Sequence, residues 1–266
     1  MVDARGLLDG LLDLFLPKRC VVCRVPGAWL CAGCAARLVE VPARRCPRCG
    51  APVACTPCPE CDGRELAFSQ AAAAFVYDGP ARALVTACKF HALRSIATEM
   101  SRLAAPAFVA ACAGADLVTW VPGHRERSLE RGFNQAELLG RSLARAAGLP
   151  AASLLRRTRH GVRQSGLDRA ARAANVDDAF ALREDAAGVL RTLKRVVVVD
   201  DVYTTGETLN HCARVLSQNG SEPLVFTFAR TTRAHRSLPH SKTPAPSRAA
   251  SSCASLHTST TKERCR

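Results

Sequence analysis

A chain of 266 residues that is 48% hydrophobic and 23% charged has room for one sizeable core plus an appendage, and this balance excludes a wholly disordered or fibrous protein. Its formal charge of +14 is concentrated in two places: residues 123–172 hold eleven Arg against four acids (+7), and the chain from Thr231 on holds seven Lys or Arg against one Glu (+6). Such a balance suits a nucleic acid or a polyphosphate ligand, and a solvated basic face accounts for it equally.

The chain opens on "GLLDGLLDLFL", where Leu7, Leu8, Leu11, Leu12 and Phe15 recur at helical spacing. Asp9 and Asp13 interrupt the apolar run, and "PKRC" follows it without a small-residue cleavage site. It therefore reads as an amphipathic helix over residues 1–16 that docks on the rest of the protein, neither a signal peptide nor a membrane span, which predicts a cytoplasmic protein.

Nine of the fourteen cysteines fall within residues 20–61. Eight form C-x2-C turns: Cys20 and Cys23, Cys31 and Cys34, Cys46 and Cys49, Cys58 and Cys61. Each turn brings two thiolates close enough to share a metal, and two turns complete a tetrahedral shell of four. Taken sequentially, the four turns make two structural zinc sites in a double zinc ribbon over residues 17–64; a crossed pairing, or Cys55 in place of Cys58, remains an alternative. Metal binding would supply on the order of 10 kcal/mol to a module with almost no core. Closed shells of four thiolates disfavour catalytic zinc.

Beyond Arg64 the pattern alternates. "QAAAAFVY" (70–77) reads as a buried strand, "GPARALVTACKF" and "RSIATEMSRLAAPAFVAACA" as helices, and "DLVTWVP" as a strand stopped by Pro122. Then come the helix "FNQAELLGRSLARAAG" with Gly148 as its stop, the central strand "KRVVVVDD", the helix "GETLNHCARVLSQNG" and a last strand "EPLVFTFAR". Continuous valine runs imply strands buried on both faces, hence an α/β domain over residues 65–230 in which helices flank a parallel sheet. Cys88, Cys112 and Cys212 sit singly in apolar helical stretches as small buried hydrophobes. The Ser-, Thr-, Pro- and Arg-rich segment 231–266 is read as a disordered basic tail.

In such sheets ligands bind beyond the carboxyl ends of strands. There "RVVVVDDVYTTGETL" leaves the sheet after Val199 with Asp200 and Asp201 and enters a helix at about Glu207. The amides of Thr204, Thr205, Gly206 and Glu207 and the hydroxyls of Thr204, Thr205 and Thr208 make a cradle the size of a monophosphate, aided by the helix dipole. Two aspartates repel a phosphate, so they need a partner one sugar away; vicinal ribose hydroxyls supply it, with Mg2+ shared nearby.

The stretch "VVVVDDVYTTGET" resembles the phosphoribosyl pyrophosphate (PRPP) motif of type I phosphoribosyltransferases. Together with the cysteine-rich start, "CKFHALRSIA", "VPGHRERSLERGFNQAELLGRSLA" and "RRTRHGVRQSGLDRAARAANVDDAF", it is similar to the ComF family of competence-associated proteins over roughly residues 14–230. The resemblance implies that Asp200 and Asp201 contact ribose hydroxyls and that the loop Val202, Tyr203, Thr204, Thr205, Gly206, Glu207 and Thr208 binds PRPP. Lys89 and the segment around Arg125, Arg127 and Arg131 are its candidates for pyrophosphate and Mg2+. The stretch from Arg156 to Asn175, with Gln164, Arg169 and Arg172, matches a mobile hood. Helix capping is the plainer role for Lys89, and ion pairs with Asp177 and Asp178 are the plainer role for Arg169 and Arg172.

Two functional classes follow from the resemblance. One is a Mg2+-dependent phosphoribosyltransferase with an unknown acceptor, in DNA uptake or nucleotide salvage. The other is a non-catalytic PRPP or nucleotide sensor that engages single-stranded DNA or a competence helicase through its zinc ribbons and basic loop. ComF-like chains stop just after the last strand, so the tail is either an altered reading frame or an extension. The sequence holds no P-loop and no dinucleotide fingerprint, and no aromatic-interleaved basic strand for stacking bases.

Overall fold

A computed structural model describes residues 18–53, 56–90, 94–123, 132–158 and 179–232. Residues 196–199 of the valine run are fully buried, with strands on either side. These strands are β1 (Gln70–Val76), β2 (Leu117–Trp120), β5 (Arg195–Tyr203) and β6 (Glu222–Arg230), all parallel in the order β1-β6-β5-β2. The expected parallel α/β domain is therefore present. A short antiparallel pair, β3 (Leu155–Arg157) and β4 (Phe180–Leu182), stands apart from the sheet. The sequence reading missed it because three-residue strands carry no usable period.

Among the described residues six helices accompany the strands: α1 (Ala32–Ala35), α2 (Gly79–Phe90), α3 (Arg94–Ala111), α4 (Gln135–Ala147), α5 (Ala187–Leu190) and α6 (Glu207–Gln218). α4 shows why the boundaries were readable. The Asn134 side chain accepts from the Ala136 amide at 3.1 Å, while its own amide donates to the Val121 carbonyl, so one residue caps the helix and ties it to β2. Gly148 closes the helix in the left-handed conformation, at φ 68°.

Strand alternation divides the core. Val197, Val199, Phe226 and Phe228 pack under α2, α3 and α4 with Leu84, Ile96, Met100, Phe108 and Leu143, and Phe108 meets Phe226 edge-on at 5.0 Å. Val196, Val198 and Val225 pack instead with Leu209, Cys212 and Leu216 of α6 and with Leu155 and Phe180 of the small hairpin.

The cysteine-rich segment is built into this core. Cys20, Leu30 and Cys34 join the first cluster of buried residues, whereas Cys46, Cys49 and Cys61 join the second. Between them the chain lies along the outer edge of β1: the Val76 amide donates to the Val39 carbonyl at 2.8 Å, and the Val41 amide to the Ala74 carbonyl at 3.0 Å. The unpaired backbone groups of an edge strand are thereby satisfied. Further along, the Ala71 amide donates to the Arg48 carbonyl at 2.8 Å. The expected N-terminal helix, Cys55, the basic loop with Arg125, Arg127 and Arg131, the hood residues Gln164, Arg169, Arg172 and Asn175, and the tail beyond residue 232 lie outside the described residues.

Candidate functional site

Two groups of cysteines converge, and they pair sequentially. Cys20, Cys23, Cys31 and Cys34 form one group and Cys46, Cys49, Cys58 and Cys61 the other, with the sulfurs of each lying within 4.8 Å of one another. A tetrahedral zinc with bonds of about 2.3 Å requires sulfur-to-sulfur edges of about 3.8 Å. The Cys23–Cys31, Cys46–Cys61 and Cys49–Cys58 edges measure 3.6, 3.7 and 3.7 Å, so both groups can hold a tetrahedral metal. Cys58 occupies its corner, which leaves no need for Cys55 there. Arg37 donates to Cys34 Sγ at 3.2 Å, and the amides of Cys23, Cys31 and Val22 point at Cys20 Sγ. Such donors offset the negative charge of a thiolate shell.

At the carboxyl end of the sheet the structure departs from the sequence expectation. β5 does not end at Val199 but runs on to Tyr203, because Asp200, Val202 and Tyr203 stay in register with Thr227, Ala229 and Arg230 of β6. Successive strand residues point to opposite faces, so the two carboxylates acquire different neighbours. Asp201 Oδ2 accepts from Lys89 Nζ of α2 at 2.9 Å. Burial works against the Lys89 charge, but the Asp201 carboxylate, with Asp200 beyond it, outweighs that cost and raises its pKa. Asp200 Oδ1 accepts from the Asp201 amide at 2.8 Å. Burial and the neighbouring Asp201 charge push the Asp200 carboxyl up to about 7, against the opposing pull of that amide, Lys89 and Arg157. Sequence reasoning missed Arg157 as a neighbour of Asp200, since it lies on the unrecognised hairpin.

The chain then turns into α6. Thr204, Thr205, Glu207 and Thr208 are exposed and Gly206 is buried. No acceptor among the described residues engages the amides of Thr204, Thr205 or Gly206, while the Glu207 amide reaches only the Thr205 hydroxyl at 3.4 Å. Three backbone donors at a helix N-terminus are thus available to an anion. Tyr203 contributes backbone here, because its ring is only 2% exposed and lies beneath the loop. A Cβ on Gly206, whose φ is +81°, would collide with that ring, so only glycine fits. Lys89, Asp200, Asp201 and the Val202–Thr208 loop therefore share one end of the sheet. Cys88 and Cys212 are buried thiols, and desolvation pushes the Cys212 thiol up.

A parallel α/β domain whose strand-to-helix loop leaves the Thr204, Thr205 and Gly206 amides open, fused to a module with two four-cysteine clusters, defines the class of protein. Comparison narrows it. The chain is 32% identical over 231 residues to the DNA utilization protein YhgH of Salmonella typhimurium, covering 82% of this chain and 99% of that one. It is 30% identical to Competence protein F of Haemophilus influenzae, covering 81% and 98%, and 26% identical to Competence protein ComFC of Bacillus subtilis, covering 76% and 84%. The chain belongs to the ComF family. No family model matches it. Among solved structures, a glutamine PRPP amidotransferase from B. subtilis complexed with ADP and GMP overlaps 49% of this chain with a TM-score of 0.36 at 22% identity. The overlap takes in only 26% of that longer chain and is too loose to carry weight. Among the described residues no helix is long and apolar enough to cross a membrane.

Proposed function

We propose that the sheet domain binds PRPP with Mg2+ and transfers its phosphoribosyl group to an acceptor, in a DNA-uptake or nucleotide-salvage setting. The observation that carries this reading is the trio of open amides at Thr204, Thr205 and Gly206, one strand end from the paired acids Asp200 and Asp201. A 5-phosphate seats on the amides and on the Thr204, Thr205 and Thr208 hydroxyls, and the carboxylates accept from ribose hydroxyls. Lys89, held by Asp201, stands where positive charge can meet the pyrophosphate. Carboxylate oxygens also suit a hard cation, and Mg2+ would neutralise the departing pyrophosphate charge. In the transfer, the bond from ribose C1 to pyrophosphate breaks, a bond from C1 to the acceptor forms, and the acceptor gives up a proton. Arg131, Gln164, Arg169 and Arg172 complete the pyrophosphate grip in this reading.

Calorimetric titration of the zinc-loaded protein with PRPP and Mg2+, beside an Asp200→Ala, Asp201→Ala double variant and with pyrophosphate release followed, tests it. Binding lost in the variant supports the site, and release dependent on an added acceptor supports the transferase. A folded, metal-replete protein that ignores PRPP overturns both.

A second reading rests on the basic residues of the cysteine-rich segment. Residues 18–49 carry seven Lys or Arg against one Glu, and Arg19, Arg24, Arg37, Arg44 and Arg48 are exposed. With relatives named for competence and DNA utilization, these exposed cations suit the backbone of single-stranded DNA. Affinity for an oligonucleotide that falls steeply with salt is the expected sign.

A further inference from the structure

Both turns of the second cysteine cluster reach the anion loop. On the Cys46–Cys49 side, Arg230 Nη1 donates to the Cys49 carbonyl at 2.6 Å, and the guanidinium carbon sits 4.7 Å from the centre of the Tyr203 ring. Arg230 is only 1% exposed and Tyr203 only 2%. Gly206 rests directly on that ring, so closely that a Cβ there would lie 2.4 Å from the phenol oxygen. On the Cys58–Cys61 side, the Arg64 amide donates to the Cys61 carbonyl at 3.1 Å, and the Arg64 side chain pairs with Glu207 at 2.5 Å. Asn210, one turn into α6, accepts from the Ala67 amide at 2.7 Å and donates to the Glu65 carbonyl at 2.9 Å.

The loop is thus supported at Gly206 from below by the Tyr203 ring, which Arg230 links to Cys49, and at Glu207 and Asn210 from the side by Arg64, Glu65 and Ala67, which follow Cys61. The buried Arg230 guanidinium over the flat Tyr203 ring adds a cation–π contact to the support beneath the loop. The first cluster belongs to the buried residues packed with α2, α3 and α4. We propose that Arg230 is a positioning residue which couples the second cysteine cluster to the anion loop, so that metal held by Cys46, Cys49, Cys58 and Cys61 and phosphate held by Thr204–Thr208 strengthen each other. The coupling rests on the reading of that loop as a phosphate site. Being a linkage, it is reciprocal.

The test uses the full chain loaded with cadmium-113 at both clusters, with the first resonance assigned through Cys23→Ser. Ribose 5-phosphate is titrated in while calorimetry follows binding and NMR follows both cadmium signals. Binding should shift the second-cluster signal and leave the first in place. Arg230→Gln should abolish that shift and weaken ribose 5-phosphate by about tenfold, with Arg230→Lys recovering part of the affinity. The wild-type arm decides alone if Arg230→Gln does not fold. Binding with an unmoved second signal, or with both signals moving together, overturns the coupling and leaves the phosphate site standing. Absence of binding with both clusters filled overturns the phosphate reading and the coupling with it.

Discussion

The proton on Asp200 is the most consequential single feature at the residue scale. Its carboxyl titrates at about 7 in the folded, ligand-free protein, against an ordinary value of 3.8. Between those values the folded state holds a proton that the unfolded chain releases, so this group's contribution to stability is present at low pH and is lost as pH rises through 7. The wild type should lose roughly 2 kcal/mol relative to Asp200→Asn between pH 5 and pH 8. Urea unfolding of both proteins, zinc-saturated, measures it, and the difference between them cancels the common contribution of the cysteine thiolates. A pH-independent difference would show that Asp200 is ionised throughout. The neighbouring Asp201 is paired with Lys89 Nζ at 2.9 Å. Lys89→Met leaves Asp200 and Asp201 without that nearby cation, and should cost PRPP affinity at least tenfold while the fold persists.

Among the elements, the strand-to-helix loop is the most tightly specified. Gly206 occupies a φ of +81° over the Tyr203 ring, so Gly206→Ala meets both a left-handed backbone and a collision. The expected result is a loss of about 1–3 kcal/mol in stability, with ribose 5-phosphate affinity falling further than the stability does, read by thermal melts beside calorimetry. This loop, the four sheet strands and α4 were legible in the sequence because each announces itself locally: a valine run for β5, a Thr-Thr-Gly turn, Pro122 after β2, a Gly148 stop after α4. The paired C-x2-C spacing gave the cysteine clusters for the same reason. What the sequence hid is long-range. Arg230 and Cys49 are 181 residues apart, and Asn210 and Glu65 are 145 apart. No periodicity encodes such contacts, so Arg230 read only as the end of a strand and Asn210 only as one position of a helix. The extension of β5 past Val199 was hidden too, since acids are poor strand formers and only pairing with β6 keeps Asp200 and Asp201 in the sheet.

At the scale of the whole molecule, the cysteine module cannot be treated as a separable appendage. Its two clusters contribute to different buried groups of the core, and Val39 and Val41 complete the hydrogen bonding of β1. Removing residues 18–64 would leave β1 as an open edge, strip cover from Ala71–Phe75, and leave the Arg230 guanidinium, now 1% exposed, without its Cys49 acceptor. An open apolar edge recruits other chains, and a buried donor that loses its acceptor costs about 1–3 kcal/mol. The truncated sheet domain should therefore be recovered mainly as aggregate, whereas the full chain should carry close to two zinc ions per molecule by metal analysis and stay monodisperse. Chelation at neutral pH should drive the full chain the same way, because the two cysteine clusters are part of the sheet's own cover and a metal would hold them together. A truncated domain that remained soluble and bound PRPP as the full chain does would show that the edge is closed by other means, and that the module serves a partner rather than the sheet.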